Sequence, residues 1–276
     1  MKTRFELRSA QLPGSSNEDR IYMGANAVVV LDGATSHRPS EGPTGGQYAE
    51  CLGAALIDIL SAEPHTPALA VVLEEAIRRT VATLHLPVKA KVSPSCTVAI
   101  ARHRCDDDVV DLLLLGDSTV VVGRSDGTEQ VVTDGRMSQL DLPESREYKS
   151  RLRRGYGYDD THRAVLGALQ QAEQLHRNEP DGYWIASTDP LAARHAVSFA
   201  CDTRTLQWVI LATDGAVDGL ASVGLGWQEV AAAAGDPELL ALLQQAAEWE
   251  SGVDPHGLLR PRSKRHDDKT VAVVRF

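Results

Sequence analysis

The sequence has little of what marks membrane, secreted or nucleic-acid-binding proteins. It contains no apolar stretch close to the ~20 residues that a membrane-spanning helix needs. Residues 1–14 have no apolar run after their basic residues, so we expect no secretory signal. Acidic residues outnumber basic ones by 38 to 28, which gives a net charge of −10 at pH 7. Because such a chain repels a polyphosphate backbone, we expect no nucleic-acid partner and no membrane partner.

Cysteine is scarce and scattered. The four cysteines, at positions 51, 96, 105 and 201, form no C-x-x-C pair. This spacing argues against a disulfide framework and against a structural zinc site, and it is typical of a reducing compartment. We therefore expect a cytoplasmic protein. No pattern in the sequence predicts its oligomeric state.

One segment, RPRSKR at 260–265, is strongly basic. It immediately precedes the acids Asp267 and Asp268. We interpret this segment as a solvated surface loop. The alternative is that it attracts a phosphorylated ligand towards the acids that follow it.

The apolar patterns predict an α+β fold in a single domain over 1–276, without a repeat or a long linker. Apolar or alternating runs between turn residues predict strands at 3–8, 20–32 (a hairpin), 95–103, 108–116, 119–127, 128–133, 183–188, 207–213 and 270–275. Helical apolar spacing predicts helices at 42–62, 67–85, 163–176, 227–234 and 237–250. Strands joined by tight turns pair antiparallel, and we expect the paired helices to cover the faces of the sheets.

Acidic residues stand at the ends of several predicted strands that are far apart in the chain. One apolar run ends at Asp32 and Gly33, another ends at Asp214, and a third ends near Asp117. Asp267 comes just before the last predicted strand. For a single residue such as Asp214, a helix cap is the alternative explanation. Carboxylates that converge from several strand ends build a site for a hard cation.

Mg²⁺ and Mn²⁺ take oxygen ligands, usually a few carboxylates and carbonyls completed by water. Asp32, Asp214 and Asp267 suit such a centre. Gly33 suits it too, because a residue without a side chain lets its carbonyl approach an ion closely. Two such ions ~3.5–4 Å apart lower the pKa of a shared water and hold a phosphoryl oxygen for in-line attack.

Five motifs occur in the order of a known family. They are NEDR (17–20), VVVLDGATS followed by GG (45–46), LLLLGDS, LATDGAVD and DDKTVAVV. In this order they resemble the metal-dependent (PPM, type 2C) protein serine/threonine phosphatases over about residues 15–276. The chain looks like a divergent, single-domain bacterial member. The resemblance implies a four-layer αββα sandwich, in which two antiparallel sheets are flanked by helix pairs, with a binuclear Mn²⁺ or Mg²⁺ site at one end.

The resemblance also implies roles for the residues that match its motifs. Asp32 would bridge both ions, and the Gly33 carbonyl would bind the second. Asp214 and Asp267 would hold the first ion, so that the three aspartates form the catalytic set.

Four further acids complete the implied site. Glu18 and Asp19 would bind metal-coordinated water. Asp117 and Asp218, with Asp214 shared, would form a weaker third metal site.

The chain departs from the family pattern at two positions. Gly14 stands where the family commonly has an arginine that binds substrate phosphate. Arg20, Arg38 and Arg136 are the candidates to replace it, and a plain surface position is the alternative for each. Ala34 stands where many eukaryotic members have a histidine, which bacterial members often lack as well.

Residues 138–180 lie where the family has a variable flap beside the active site. The segment looks divergent, so the substrate is the least constrained inference. The expected substrate and partner is a phosphoserine or phosphothreonine protein. One alternative is a small phosphorylated metabolite. The other is a pseudophosphatase, a metal-binding interaction module without turnover, against which the complete acid set argues.

Overall fold

A computed structural model of the protein describes residues 6–35, 42–62, 67–90 and 92–276. The strands in this part of the chain are β1 (Glu6–Leu12), β2 (Asp19–Met23), β3 (Ala27–Gly33), β4 (Cys96–Arg104), β5 (Val109–Leu115), β6 (Thr119–Arg124), β7 (Glu129–Thr133), β8 (Val197–Asp202), β9 (Leu206–Ala212) and β10 (Lys269–Arg275). The helices are α1 (Gly45–Ala62), α2 (Leu69–Thr83), α3 (Arg136–Gln139), α4 (Pro143–Arg153), α5 (Asp160–His176), α6 (Asp214–Ser222), α7 (Trp227–Ala232) and α8 (Asp236–Gly252).

The strands form two five-stranded sheets whose neighbouring strands are antiparallel. The first sheet has the order β1-β10-β9-β6-β7, and the second has the order β2-β3-β4-β5-β8. Successive side chains of a strand point to opposite faces. In β3, Val28 and Val30 therefore pack between the two sheets, whereas Val29 and Leu31 pack under the helices. Because both faces are covered, this strand reads as a continuous apolar run.

Helices cover the outer face of each sheet. On the second sheet, α1 and α2 contribute Leu52, Leu56 and Ile77 to a buried apolar cluster. On the first sheet, α6 and α8 contribute Leu220 and Leu243 to another. A third cluster fills the space between the sheets. The predicted α+β, four-layer αββα sandwich is confirmed.

The register of the strands gathers several of the predicted acids at one end of the sandwich. In the second sheet, Asp19 at the start of β2 pairs with Asp32 near the end of β3. In the first sheet, the end of β9 lies beside the start of β10. Asp214 follows that end of β9, and Asp267 precedes that start of β10. The fold thus brings together acids that are as much as 248 residues apart in the chain, from Asp19 to Asp267.

The predicted strand at 183–188 is wrong. The segment makes only isolated bridges, between Ala186 and Cys96 and between Tyr183 and Arg177. It is buried throughout. A short apolar run indicates that a segment is buried. A buried segment without strand pairing has the same sequence pattern as a buried strand.

Strand β8, which pairs with β5 at the edge of the second sheet, was not predicted from the sequence. Its residues Val197, Phe199 and Cys201 pack against the cluster between the sheets. This alternation of apolar and polar residues was the signal that could have found the strand. In the described ranges, none of the helices combines the length and apolar content needed to cross a bilayer.

Candidate active site

A pocket opens at the end of the sandwich where the acids meet. Its lining includes Asp32, Gly33, Asp117, Asp214 and Asp267. They come from the end of β3, the turn between β5 and β6, the start of α6 and the segment before β10. The pocket therefore depends on the whole sandwich rather than on one local motif.

Asp32 lies among several other carboxylates. Burial raises its pKa well above the usual range, and the charges of Asp19, Asp214 and Asp267 raise it further. Burial also raises the pKa of Asp214 to about 8, with Asp267 and Asp117 adding to the effect. Asp214 keeps contact with solvent in the pocket. Carboxylates this close repel one another unless a proton or a cation lies among them, so the pocket favours positive charge.

Asp19, the partner of Asp32 in the neighbouring strand, is fully buried. Burial raises its pKa to about 7, and the nearby charges of Asp268 and Asp267 oppose its ionisation as well. The Thr213 hydroxyl donates to Asp19 Oδ2 at 2.9 Å. Among the described residues, Asp19 Oδ1 accepts no hydrogen bond of normal geometry, although the Thr270 hydroxyl lies near enough to lower the pKa of Asp19. A buried polar atom without a well-formed hydrogen bond is costly, so Oδ1 is an acceptor suited to a bound water or cation.

Glu18 is held in place by Asp268. The Asp268 carboxylate accepts hydrogen bonds from the backbone N–H groups of Gly14 at 2.6 Å and Glu18 at 2.7 Å. The Glu18 carboxylate accepts from the hydroxyls of Ser16 and Thr35 and is not part of the pocket lining. The sequence analysis gave Asp268 no role, because nothing in the DD pair distinguishes an acid that faces the pocket from one that supports the backbone.

The two acids of the predicted third metal site are placed differently. Asp117 lines the pocket, where burial raises its pKa. Asp218 lies one turn along α6 from Asp214 and is outside the lining. Burial raises the pKa of Asp218, and the charge of Arg260 opposes that rise.

Asp214 does not occupy the cap position of α6. It is the first residue of the helix, and Thr213 is the N-cap residue. Asp214 Oδ1 accepts from the N–H of Gly215 at 2.6 Å. Asp214 thus lies in the first turn of α6 next to the N-cap residue.

Only a glycine fits at position 33, because the backbone at the start of α1 lies against it. A Cβ built on Gly33 would lie 2.5 Å from the carbonyl carbon of Gly45 and 2.6 Å from the amide nitrogen of Gly46. A side chain at this position would force the backbones of β3 and α1 apart. The glycines of the second motif thus permit close packing beside the pocket.

The oxygen donors of the pocket fit a hard divalent cation in their chemistry. Aspartate carboxylates and a backbone carbonyl are the ligands that Mg²⁺ and Mn²⁺ prefer, and Asp19 Oδ1 adds another acceptor. In the described part of the chain, no three His, Cys, Asp or Glu side chains are arranged so that they could hold a metal ion as they stand. One of these carboxylates, Asp267, accepts a hydrogen bond from Lys264 Nζ at 2.7 Å.

Lys264 is a cation inside the acidic pocket. Burial by itself lowers the pKa of Lys264. The charges of Asp267, Asp32 and Glu18, together with the hydrogen bond to Asp267, outweigh this effect and hold the pKa above its usual range. The ammonium group therefore stays protonated and neutralises part of the cluster.

The arginines predicted to bind phosphate are not in the pocket lining where the structure describes them. Arg20 donates to two backbone carbonyls of the NEDR segment, at 2.7 Å each. Arg136 is paired with Asp134. Neither residue lines the pocket, and Arg38 lies outside the described residues.

The structure gives a physical reason for Gly14. A Cβ at this position would lie 2.6 Å from the carbonyl oxygen of His266 and 2.7 Å from the carbonyl carbon of Asp267. An arginine there would displace the loop that carries Asp267. The departure from the family pattern is thus tied to close contact between two loops.

Helix α5 forms one wall of the pocket through Leu166, Gln170 and Glu173. The Gln170 side-chain amide donates to the carbonyl oxygen of Thr35 at 3.1 Å, which ties the helix to the loop after β3. Burial raises the pKa of Glu173 to about 7. The sequence predicted this helix at 163–176, but amphipathic spacing does not disclose which face covers a site.

The comparison with known proteins decides the family. The family model for Protein phosphatase 2C matches residues 8–242, which is most of the chain. The chain belongs to the protein phosphatase 2C family. The family predicted from the five motifs is confirmed. As a member of this family, the protein is a metal-dependent phosphatase and therefore a hydrolase.

Solved structures that resemble this protein phosphatase 2C chain include bacterial enzymes. A bacterial serine phosphatase is 14% identical with a TM-score of 0.63, and the match covers 99% of this chain and 98% of that one. Serine/threonine phosphatase Stp1 from Staphylococcus aureus is 14% identical with a TM-score of 0.63, over 100% of this chain and 96% of that one. The serine/threonine phosphatase PstP/Ppp from Mycobacterium tuberculosis is 14% identical with a TM-score of 0.52, over 99% and 98%. At these identities the likeness establishes the fold. No curated protein matches the sequence.

Proposed function

We propose that this protein phosphatase 2C dephosphorylates phosphoserine and phosphothreonine in proteins, with a binuclear Mn²⁺ or Mg²⁺ centre in the acidic pocket. The observation that carries the proposal is the pocket where Asp32, Asp117 and Asp214, all with raised pKa values, lie with Asp267. Divalent cations relieve the repulsion in such a cluster. Bound there, the two ions would lower the pKa of a water and polarise the phosphoryl oxygens.

The proposed ligands follow from the residues around the pocket. Asp32 interacts with both Asp19 and Asp214, which suits it to bridge two ions. The Gly33 carbonyl would bind one ion, and Asp214 and Asp267 would hold the other. Asp32 and Gly33 lie at the end of β3, Asp214 begins α6 just after β9, and Asp267 lies just before β10, so the two sheets hold these residues at one end of the sandwich.

The remaining acids are proposed to bind water on the two ions or to hold a third ion. Glu18 and Asp19 would hold water that coordinates the ions, and Asp19 Oδ1, which accepts no hydrogen bond of normal geometry among the described residues, supports this role. Asp117 and Asp218 would hold a weaker third ion together with Asp214. The same proposal treats 1–276 as a single domain, with 138–180 as the flap, acting in the cytoplasm.

A small phosphoester is the second candidate substrate. The observation that favours it is the apolar lining that Leu166 and Leu169 of α5 contribute to the pocket, together with Tyr183. This wall of the pocket restricts the depth to which a folded phosphoprotein could enter.

The test is release of phosphate from p-nitrophenyl phosphate and from a phosphothreonine peptide, with Mn²⁺, with Mg²⁺ and with a chelator. Metal-dependent release from both substrates is expected. Release from the small ester alone would favour the metabolite. No release from either, with Mn²⁺ binding shown by calorimetry, would favour a pseudophosphatase and overturn the proposal.

A further inference from the structure

Within the described residues, the basic side chains that line the pocket are Arg177 and Lys264. Arg177 is engaged by the protein, because its Nη1 donates to the Ser93 carbonyl at 2.9 Å and its Nε lies 3.5 Å from the Tyr183 hydroxyl. Lys264 donates to Asp267 at 2.7 Å. An ammonium group has three N–H donors, and this hydrogen bond uses one of them. Arg177 keeps N–H groups free as well, but Lys264 is the one of the two whose hydrogen bond goes to a proposed metal ligand, Asp267.

The position of Lys264 is fixed by its surroundings. Its side chain is only 17% exposed, and it extends from the loop that leads directly into Asp267. Most lysines are solvated at the surface. A largely buried lysine within an acidic pocket is instead held there by charge.

A phosphomonoester entering this pocket meets the carboxylates of Asp32, Asp117 and Asp214. Its own two negative charges are repelled unless cations compensate for them. Divalent ions would neutralise the carboxylates, and the phosphate oxygens that do not face the ions would still need donors. Charged donors supply the strongest hydrogen bonds to phosphate.

Three other possible sources of such a donor in the described part of the chain are blocked or occupied. The backbone of His266 and Asp267 leaves no room for a side chain at position 14. Arg20 is bonded to the carbonyls of its own segment, and Arg136 is paired with Asp134.

We propose that Lys264 binds the substrate phosphate, an inference that rests on the proposed function. A divalent cation that engages Asp267 takes over the charge that Lys264 now neutralises. The ammonium group is then free to donate to a phosphate oxygen. The positively charged side chain that binds the substrate phosphate thus comes from the loop before β10, instead of from position 14 in the segment before β2.

The test compares Lys264→Met and Lys264→Arg with Arg265→Met. Arg265 is the next residue in the loop, is exposed and does not line the pocket, so its variant removes the same charge from the same region. Calorimetry measures Mn²⁺ binding to the metal-free protein and binding of inorganic phosphate to the metal-loaded protein. Steady-state kinetics gives KM and kcat for p-nitrophenyl phosphate. Urea unfolding verifies that each variant is folded.

For Lys264→Met we expect phosphate binding to weaken about 10- to 100-fold, the loss typical of a charge-assisted hydrogen bond. KM should rise by a similar factor, and Mn²⁺ binding should stay equal or tighten because Asp267 loses a competing partner. Lys264→Arg should recover part of the phosphate binding. Equal phosphate binding in Lys264→Met and Arg265→Met would overturn the inference. A wild-type protein that lacks turnover would overturn the proposed function alone, since the phosphate calorimetry still tests Lys264.

Discussion

Asp267 and Asp268 are neighbours in the chain, yet their surroundings are opposite. Asp268 is 3% exposed, and its two oxygens accept the N–H groups of Gly14 and Glu18. Asp267 lines the pocket and pairs with Lys264. One carboxylate supports the backbone, whereas the other is available for chemistry.

Asp268→Ala should therefore destabilise the metal-free protein by about 3 kcal/mol, because two buried N–H groups lose a charged acceptor. Urea unfolding in the presence of a chelator measures this loss. The control is Asp236→Ala, which removes an acceptor for the N–H of Ser9 at an exposed position and should cost less than about 1 kcal/mol. Equal losses in the two variants would contradict the role given to Asp268.

Asp32→Ala and Asp214→Ala should abolish phosphatase activity while leaving a folded protein. The expected loss exceeds the ~10–100-fold typical of residues that only support metal ligands. Asp218→Ala should be milder and should mainly raise the Mn²⁺ concentration required. The measurement is turnover of p-nitrophenyl phosphate across a Mn²⁺ titration. Wild-type turnover by folded Asp32→Ala or Asp214→Ala at saturating Mn²⁺ would disprove the binuclear assignment.

Among the elements, the segment around Gly14 and the loop before β10 are in close contact. The Cβ distances of 2.6 and 2.7 Å at Gly14 are shorter than real Cβ contacts. Both segments also meet through the hydrogen bonds of Asp268. A change in one loop should therefore reach the other.

Gly14→Ala should lower stability by about 1–3 kcal/mol, the usual cost of adding atoms to a packed site. It should also raise the Mn²⁺ concentration needed for turnover, because the shifted backbone carries Asp267. Gly252→Ala makes the same chemical change near the end of α8, where no atom lies within 4 Å of the added Cβ. That control should leave the metal requirement unchanged. If both variants behaved alike in the Mn²⁺ titration, the contact would have no influence on the site.

The elements also show where sequence reasoning succeeds. The hairpin of β2 and β3 was predictable, because turn residues separate two apolar runs. The acids after apolar runs were predictable as site residues, because a charged residue at the end of a buried strand is uncommon. The pocket wall of α5 was not predictable, since its side chains Leu166 and Leu169 read as ordinary core residues. The position of Lys264 in the pocket was not predictable either, because a lysine in a basic segment is expected to lie at the surface.

At the scale of the whole molecule, the acidic pocket couples stability to pH. Asp19 and Asp214 have pKa values of about 7 and about 8 in the folded protein, whereas an unfolded aspartate has a pKa of ~3.9. The metal-free folded protein thus binds more protons than the unfolded chain between about pH 4 and about pH 8. Its stability falls as pH rises through this window.

Urea unfolding with a chelator at about pH 5 and about pH 8 should show this fall. Asp214→Asn should reduce the difference between the two pH values, because it removes one of the titrating groups. The control is Asp202→Asn. Arg204 lowers the pKa of Asp202 to about 2, so its titration lies below the window and the pH dependence should be unchanged. An Asp214→Asn variant with the wild-type pH dependence would disprove this account.

The strand order has a consequence for the synthesis of the protein. β10 is the last of the described strands in chain order, but it lies in the interior of the first sheet, between β1 and β9. Until a ribosome has released this strand, β1 has no neighbour in that sheet, and Asp267 is not yet beside Asp214. The nascent chain can complete its second sheet first, but phosphatase activity must wait until β10 has left the ribosome and joined the first sheet.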